Sequence, residues 1–189
     1  KADPNPDIAY VDVQKGSWYY DAVQYVSKNG LMNGIGDERF DPEGAMTRAM
    51  VVTVLWRVAG APETGENVFT DVPENVWYTQ AVAWAAEAGV VNGIGENRFD
   101  PEGKITREQL AAILYRYAKA AGEDVSATAD LTGFPDADSI SPYAAEALSW
   151  AVADGLINGN KEGEVTYLAP LASATRAQVA AILMRYLEN

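Results

Sequence analysis

The sequence predicts a mostly α-helical protein, with three helix-loop-helix repeats packed in a pseudo-threefold assembly around a shared central helical core. Three observations carry this. The chain repeats itself three times, which is the first thing to look for in a sequence. Each repeat holds two apolar stripes at helical spacing. Each repeat is also about 45 to 55 residues without its linker, which is marginal for an independent core.

The repeat is read from matched segments. Tyr10-Val11-Asp12-Val13 aligns with Phe69-Thr70-Asp71-Val72 and Phe134-Pro135-Asp136-Ala137. Asn33-Gly34-Ile35-Gly36 aligns with Asn92-Gly93-Ile94-Gly95, and Arg39-Phe40-Asp41-Pro42-Glu43-Gly44 with Arg98-Phe99-Asp100-Pro101-Glu102-Gly103. Asp12 and Asp71, like Arg48 and Arg107, lie 59 residues apart, so copies one and two share a register without a gap. Copy three drifts and carries extra residues in the loop before its second helix. The expected division is repeat one over 1–59, repeat two over 68–121 and repeat three over 133–189. The linkers 60–67 and 122–132 between them are small, polar and Gly-containing.

Within each copy the first helix is expected over Tyr19–Lys28, Tyr78–Ala88 and Tyr143–Ala153. Gly30, Gly89 and Gly155 stand where a helix end needs a left-handed residue. Ser141-Pro142 reads as a helix start, with Ser as cap and Pro at the first position. The second helix is marked by Val51, Val54, Leu55 and Val58, by Leu110, Ile113, Leu114 and Tyr117, and by Val179, Ile182, Leu183 and Tyr186. These stripes are too wide for one copy to cover, so Val54, Ile113 and Ile182 are expected to be buried where the second helices meet. Thr106 with Gln109 and Thr175 with Gln178 predict capping boxes. Copy one has Met50 in that slot, so Thr47 caps alone. The loops between helices are rich in Gly, Asp, Asn and Pro, with room for short extended pieces near Arg39-Phe40 and Arg98-Phe99.

Composition narrows the chemistry. The net charge is −13, a field that repels nucleic acid and anionic lipid. There is no Cys and no His, which removes disulfides, thiol catalysis, the Ser-His-Asp triad and most zinc sites. No enzyme activity, cofactor or metal is expected, since the loops at Asp41 and Asp100 lack the alternating acids of an EF-hand. The apolar runs fall short of a membrane span, so no membrane insertion is expected. The segment Lys1 to Pro6 has neither an initiator Met nor an apolar signal core. It is expected to be a trimmed boundary, with any signal peptide on the parent protein.

All eight arginines fall at repeat-matched positions. Arg48, Arg107 and Arg176 follow the capping Thr directly, where the helix dipole disfavours a cation. Two readings stay open. Guanidinium and free helix amides converge on a carboxylate or phosphate, or each arginine pairs within the chain with Asp12, Asp71, Asp136 or a loop carboxylate. Arg57, Arg116 and Arg185 sit near helix C-termini, where a cation is favoured and a structural role is expected. Trp18, Trp77 and Tyr143 open the first helices beside the Asp-bearing loops. They suit sugar stacking or, equally in kind, core packing. Trp84 and Trp150 are expected in the core.

The motif Phe/Tyr-x-Asp-Val, Trp-Tyr-x-x-Ala-Val, Asn-Gly-Ile-Gly-x-x-x-Phe-x-Pro and Thr-Arg resembles the S-layer homology domain of bacterial surface proteins. Thr47-Arg48-Ala49-Met50, Thr106-Arg107-Glu108-Gln109 and Thr175-Arg176-Ala177-Gln178 are similar to its Thr-Arg-Ala-Glu signature without the final Glu. Copy three also lacks the Phe-x-Pro loop. The resemblance implies a non-catalytic module that holds an exported protein on the cell wall or S-layer. Its implied ligand is a secondary cell-wall polysaccharide, often bearing a pyruvate ketal, held in grooves between neighbouring copies. The implied ligand-binding residues are Arg48, Arg107, Arg176, Asp12, Asp71, Asp136, Trp18, Trp77, Tyr143, Gly36 and Gly95. Peptidoglycan bearing a polyamine is the alternative ligand and would favour the aspartates over the arginines. The rivals are a protein-interaction scaffold and a glycosidase, which needs a carboxylate pair about 5–10 Å apart in one cleft. The altered loop of copy three predicts that at least one groove involving it is weak or empty.

Overall fold

A computed structural model describes residues 6–189. The boundary expected at residues 1–5 lies outside them. The chain is mostly helical, with helices α1 (Tyr20–Lys28), α2 (Arg48–Val58), α3 (Thr79–Glu87), α4 (Arg107–Ala120), α5 (Ala145–Ala153) and α6 (Arg176–Glu188). The expected helix limits hold to within a residue, except that copy three opens with a 3₁₀ turn at Pro142–Ala144 before α5. One two-stranded antiparallel hairpin, β1 (Asn160–Glu162) with β2 (Val165–Tyr167), lies in the copy-three loop.

The helix ends follow their local chemistry. Gly30, Gly89 and Gly155 adopt φ of 67°, 71° and 70°, and in the turn at Gly30 the Leu31 N–H donates to Val26 O. Both capping boxes form, and Thr47 accepts from the Met50 N–H without a reciprocal partner. Ser141 does not act as the expected side-chain cap, because its hydroxyl donates to Glu108 Oε1 at 2.7 Å.

Each first helix packs on the second helix of another copy: α1 on α6, α3 on α2 and α5 on α4. The contacts therefore close a cycle through all three copies. A triangle of backbone hydrogen bonds fastens that cycle. Met46 N–H donates to Ala174 O, Ala174 N–H to Ile105 O and Ile105 N–H to Met46 O, each at 2.9 Å. These three repeat-matched residues are fully buried, so the bonds lie where water cannot compete. Val54, Ile113 and Ile182 are buried as expected. Val54 and Ile182 line one small apolar space with Val51, Leu110, Leu114 and Val179, so α2, α4 and α6 share a core. Trp150 is in the core, whereas Trp84 is half-buried against the edge of Tyr117.

Candidate functional site between repeats

The helix-start arginines stand at the joins between copies. Their backbones are fixed first. Arg48 N–H donates to Gly103 O and Ala49 N–H to Pro101 O. Arg107 and Glu108 donate likewise to Ala172 O and Pro170 O, and Arg176 and Ala177 to Gly44 O and Pro42 O. Carbonyls of the next copy thus occupy the leading amides of each second helix, and the capping Thr takes the next one. The expectation that free helix amides join the guanidinium on an anion is corrected: those amides are used in assembly. The same carbonyls place negative partial charge beside the arginine, which offsets the poor dipole position.

Intramolecular pairing with a carboxylate is corrected too. Among the described residues, ion pairs join Lys28 to Asp7, Arg39 to Asp12 and Arg98 to Asp71, and none involves Arg48, Arg107 or Arg176. These arginines donate instead to carbonyls: Arg48 Nε to Phe99 O at 2.8 Å, Arg107 Nε to Leu168 O at 2.8 Å and Arg176 Nε to Phe40 O at 2.6 Å. Burial pushes all three guanidinium pKa values down, opposed by nearby aspartates. An arginine so placed still carries its charge at neutral pH.

The aspartates hold the other side of the same peptides. Asp12 accepts the N–H groups of Phe40 and Asp41 at 2.9 and 2.8 Å. Asp71 does so for Phe99 and Asp100, and Asp136 for Leu168 and Ala169. Each loop is therefore clamped by an Asp of its own copy and an Arg of another. Burial alone would raise the Asp12 and Asp71 pKa values, but the two loop amides on each outweigh it and hold them below the ordinary carboxylate value.

Gly36 and Gly95, both at φ 106°, open two-residue turns whose central residues Asp37-Glu38 and Glu96-Asn97 all have positive φ. Positive φ at both central positions is the geometry of a tight two-residue hairpin turn. They set the loop, while the groove wall itself is made by Asn92, Gly93 and Ile94. At Gly93 a Cβ would stand 2.6 Å from Arg98 O and 2.8 Å from the Phe69 ring, so no side chain fits.

Trp18, Trp77 and Tyr143 are 62%, 56% and 54% exposed. Core packing is thereby excluded for them, and each tryptophan stands roughly perpendicular to the ring of the tyrosine that follows it. Tyr143 donates to Glu108, a carboxylate buried at 3% exposure that also receives the Ser141 N–H. Burial first, and then this carboxylate, pushes the Tyr143 phenol up to about 12.

Two cavities result. One, of about 160 Å³, is lined by Arg48 of copy one, the Asn92–Ile94 loop and α4 of copy two, and Tyr143 of copy three. The other, of about 490 Å³, is lined by Arg107 of copy two, the loop after Leu156 and α6 of copy three, and Trp18 of copy one. Each groove thus draws on all three copies, not on two neighbours as expected. The copy-three loop, expected to weaken its groove, borders the larger one. The sequence reading missed Gln109, Gln178, Asn158 and Arg116 as groove residues. Their signal was present: the glutamines are the capping-box partners, on the turn of helix that faces the join.

The family model of the S-layer homology domain matches residues 9–49, 68–111 and 133–180, most of the chain and one match per copy. The chain belongs to the S-layer homology domain family. It is 32% identical over 179 residues to the surface-layer 125 kDa protein of Lysinibacillus sphaericus, covering 94% of this chain and 15% of that protein. It is 30% identical over 183 residues to an exoglucanase of Acetivibrio thermocellus, covering 96% of this chain and 16% of that enzyme. The chain therefore spans about a sixth of these relatives, and its likeness to the enzyme lies in the S-layer homology segment. Among solved structures, an undecaheme cytochrome from the S-layer of Carboxydothermus ferrireducens aligns with a TM-score of 0.46 and 27% identity, covering 76% of this chain and 17% of that one. Such S-layer homology repeats imply a cell-surface, wall-anchoring role. Among the described residues no helix is long and apolar enough to cross a membrane.

Proposed function

We propose that this S-layer homology chain is a non-catalytic anchor that holds a cell-surface protein on the wall by binding an anionic secondary cell-wall polysaccharide. The ligand chemistry is a sugar bearing a pyruvate-ketal carboxylate, bound in pseudo-threefold-related grooves between repeats 1–59, 68–121 and 133–189. The observation that carries this is Arg107. It is 5% exposed, has no carboxylate partner among the described residues, and lines a cavity shared with the exposed indole of Trp18. A buried guanidinium facing a groove with an aromatic at its mouth suits a sugar acid, through charged hydrogen bonds and ring stacking.

The cycle of helix contacts and the buried backbone triangle support the pseudo-threefold relation. In this reading Arg48, Arg107 and Arg176 meet the carboxylate, and Trp18, Trp77 and Tyr143 stack on the sugar. Asp12, Asp71, Asp136, Gly36 and Gly95 hold the loops that shape the grooves. Polyamine-bearing peptidoglycan is less well served, because both oxygens of each of these aspartates are taken by loop amides.

The test is sedimentation of the purified chain with cell-wall sacculi that carry a pyruvylated polysaccharide. Co-sedimentation that is lost when the polysaccharide is stripped, or when the ketal is removed by mild acid, is the expected result. Equal binding to stripped sacculi overturns the reading in favour of peptidoglycan.

A further inference from the structure

The three joins are not chemically alike, and the differences fall together in the Arg107 groove. Arg48 and Arg176 each donate a second N–H to an asparagine carbonyl, Asn92 O at 3.1 Å and Asn33 O at 2.6 Å. Each also lies over a phenylalanine ring, 4.8 Å from Phe99 and 4.6 Å from Phe40. Copy three has Leu168 where those rings stand, and Arg107 donates only through Nε among the described residues. Its two terminal amino groups therefore keep their hydrogen-bonding capacity, beside the larger cavity.

The wall of that cavity is changed in the same direction. Counting from the Asn-Gly pair, Ile35 and Ile94 correspond to Asn160, and Gly36 and Gly95 to Lys161. The β1–β2 hairpin carries Lys161, exposed and without an ion-pair partner among the described residues, to the wall of the Arg107 cavity. That wall holds three cations, Arg107, Arg185 and Lys161, against one carboxylate, Glu43, in a chain of net charge −13. Two of the cations sit apart in depth: Arg107 is buried at the join and Lys161 stands on the outer hairpin. The smaller Arg48 cavity has apolar Ile94 in that sector and no lysine.

We infer that the Arg107 groove is the chain's principal anion site and is specialised for an acidic glycan with two negative charges, the inner one met by Arg107 and the outer one by Lys161. This rests on the anchoring reading above and adds which groove dominates and what ligand charge it selects. The departures of copy three from the other two copies are then the source of selectivity.

The test uses the intact 189-residue chain, labelled with ¹⁵N, and two probes. One is a disaccharide with a single pyruvate-ketal carboxylate, and the other is the same disaccharide with a second carboxylate on the neighbouring sugar. The Trp18 indole N–H, assigned by Trp18→Phe, reports on this groove. The expected result is that the Trp18 signal moves at the lowest ligand concentration. The two-charge probe should bind about threefold more tightly at low salt, the scale of an exposed ion pair. Lys161→Gln should abolish that preference, weakening two-charge binding by about threefold more than one-charge binding, and about 0.5 M salt should likewise erase the difference between the probes. Lys161 is exposed, so the variant should fold, as far-UV circular dichroism will show. Binding with the preference intact in Lys161→Gln, or with Trp18 unmoved at saturation, overturns this inference alone. No binding of either probe at any groove overturns the anchoring reading and this inference with it.

Discussion

Copies one and two present nearly the same loop to their neighbours, whereas copy three reaches the same endpoint with different side chains. In the first two, Phe40 and Phe99 are buried, clamped at N–H by Asp12 or Asp71 and at C=O by Arg176 or Arg48. In copy three Leu168 replaces the ring, yet Asp136 takes its N–H and Arg107 its C=O. What is repeated is therefore the clamp on the backbone of one residue, not its side chain. This explains why Thr-Arg persists in all three copies while the Phe-x-Pro loop does not. The backbone contact depends on the Arg and the Asp, and the ring adds only packing and a cation–π contact.

Breaking the clamp from the Asp side should have the largest effect. Asp71→Ala leaves two loop amides without acceptors, at about 2–5 kcal/mol, and Asp136→Ala should cost the same although its loop differs. Urea denaturation measures both. A cost in Asp71→Ala alone would show that copy three is held by something other than the clamp. The acid limb follows from the same groups. The folded pKa values of Asp12 and Asp71 lie below the ordinary value. Their stabilisation is therefore fully present above the unfolded value of about 3.9 and is lost as pH falls through the lowered folded values. Asp71→Asn should flatten the fall in stability below about pH 4. An unchanged acid profile would mean that other carboxylates govern it.

The arginine side should come next. Arg48→Ala and Arg107→Ala should each lower stability by about 1–3 kcal/mol, as for a lost charged hydrogen bond. Each should also cut glycan affinity about tenfold or more. The fold is not indifferent to these residues, contrary to what helix position alone suggests, so affinity must be measured well below the unfolding transition. Arg57→Ala removes a bond from Nη1 to Leu31 O at 3.0 Å and should cost about 1 kcal/mol. Arg116, the same position one repeat later, has no hydrogen-bond partner among the described residues and lines the Arg48 cavity. Arg116→Ala should leave stability nearly unchanged and weaken binding instead. Calorimetry with a pyruvylated wall fragment separates the two, and equal behaviour would remove the distinction drawn between these arginines.

The sequence disclosed the parts that are written locally. Helix limits, the glycine stops and both capping boxes depend on residues within a few positions of one another, and the 59-residue register repeats the helix limits and glycine stop of copy one in copy two. The cycle was not legible, because repeat similarity says that copies are equivalent but not which face of one meets which face of another. The partners of Arg48, Arg107 and Arg176 were misread for a related reason. Charge complementarity pointed to the aspartates, but backbone amides of the loops satisfy those first, and carbonyls carry no signature in sequence. Trp18 and Trp77 were ambiguous because an aromatic at a helix start is buried or exposed according to what another copy places beside it.

The smallest effect tests a place where copy one departs from the other two at the join. In copies two and three the N-cap Thr N–H donates to the glutamine three residues on, Thr106 to Gln109 at 3.0 Å and Thr175 to Gln178 at 3.1 Å. Copy one has Met50 there, and its Thr47 receives the Met50 N–H at 3.2 Å without the return bond. Met50→Gln should supply that bond. Met50 is only half-buried against the core, so the loss of its packing is partial. A net gain of about 0.5 kcal/mol is expected, the lower end of a capping contribution. For a chain of this length that is a rise in melting temperature of about 1–2 °C. Gln109 and Gln178 also line the two cavities, so Met50→Gln should give the Arg176 join the polar edge that the other two possess. Differential scanning calorimetry at constant protein concentration reads the first effect. A lower melting temperature would mean that Met50 contributes more through packing than the completed box returns, and that the first copy's departure stabilises the chain.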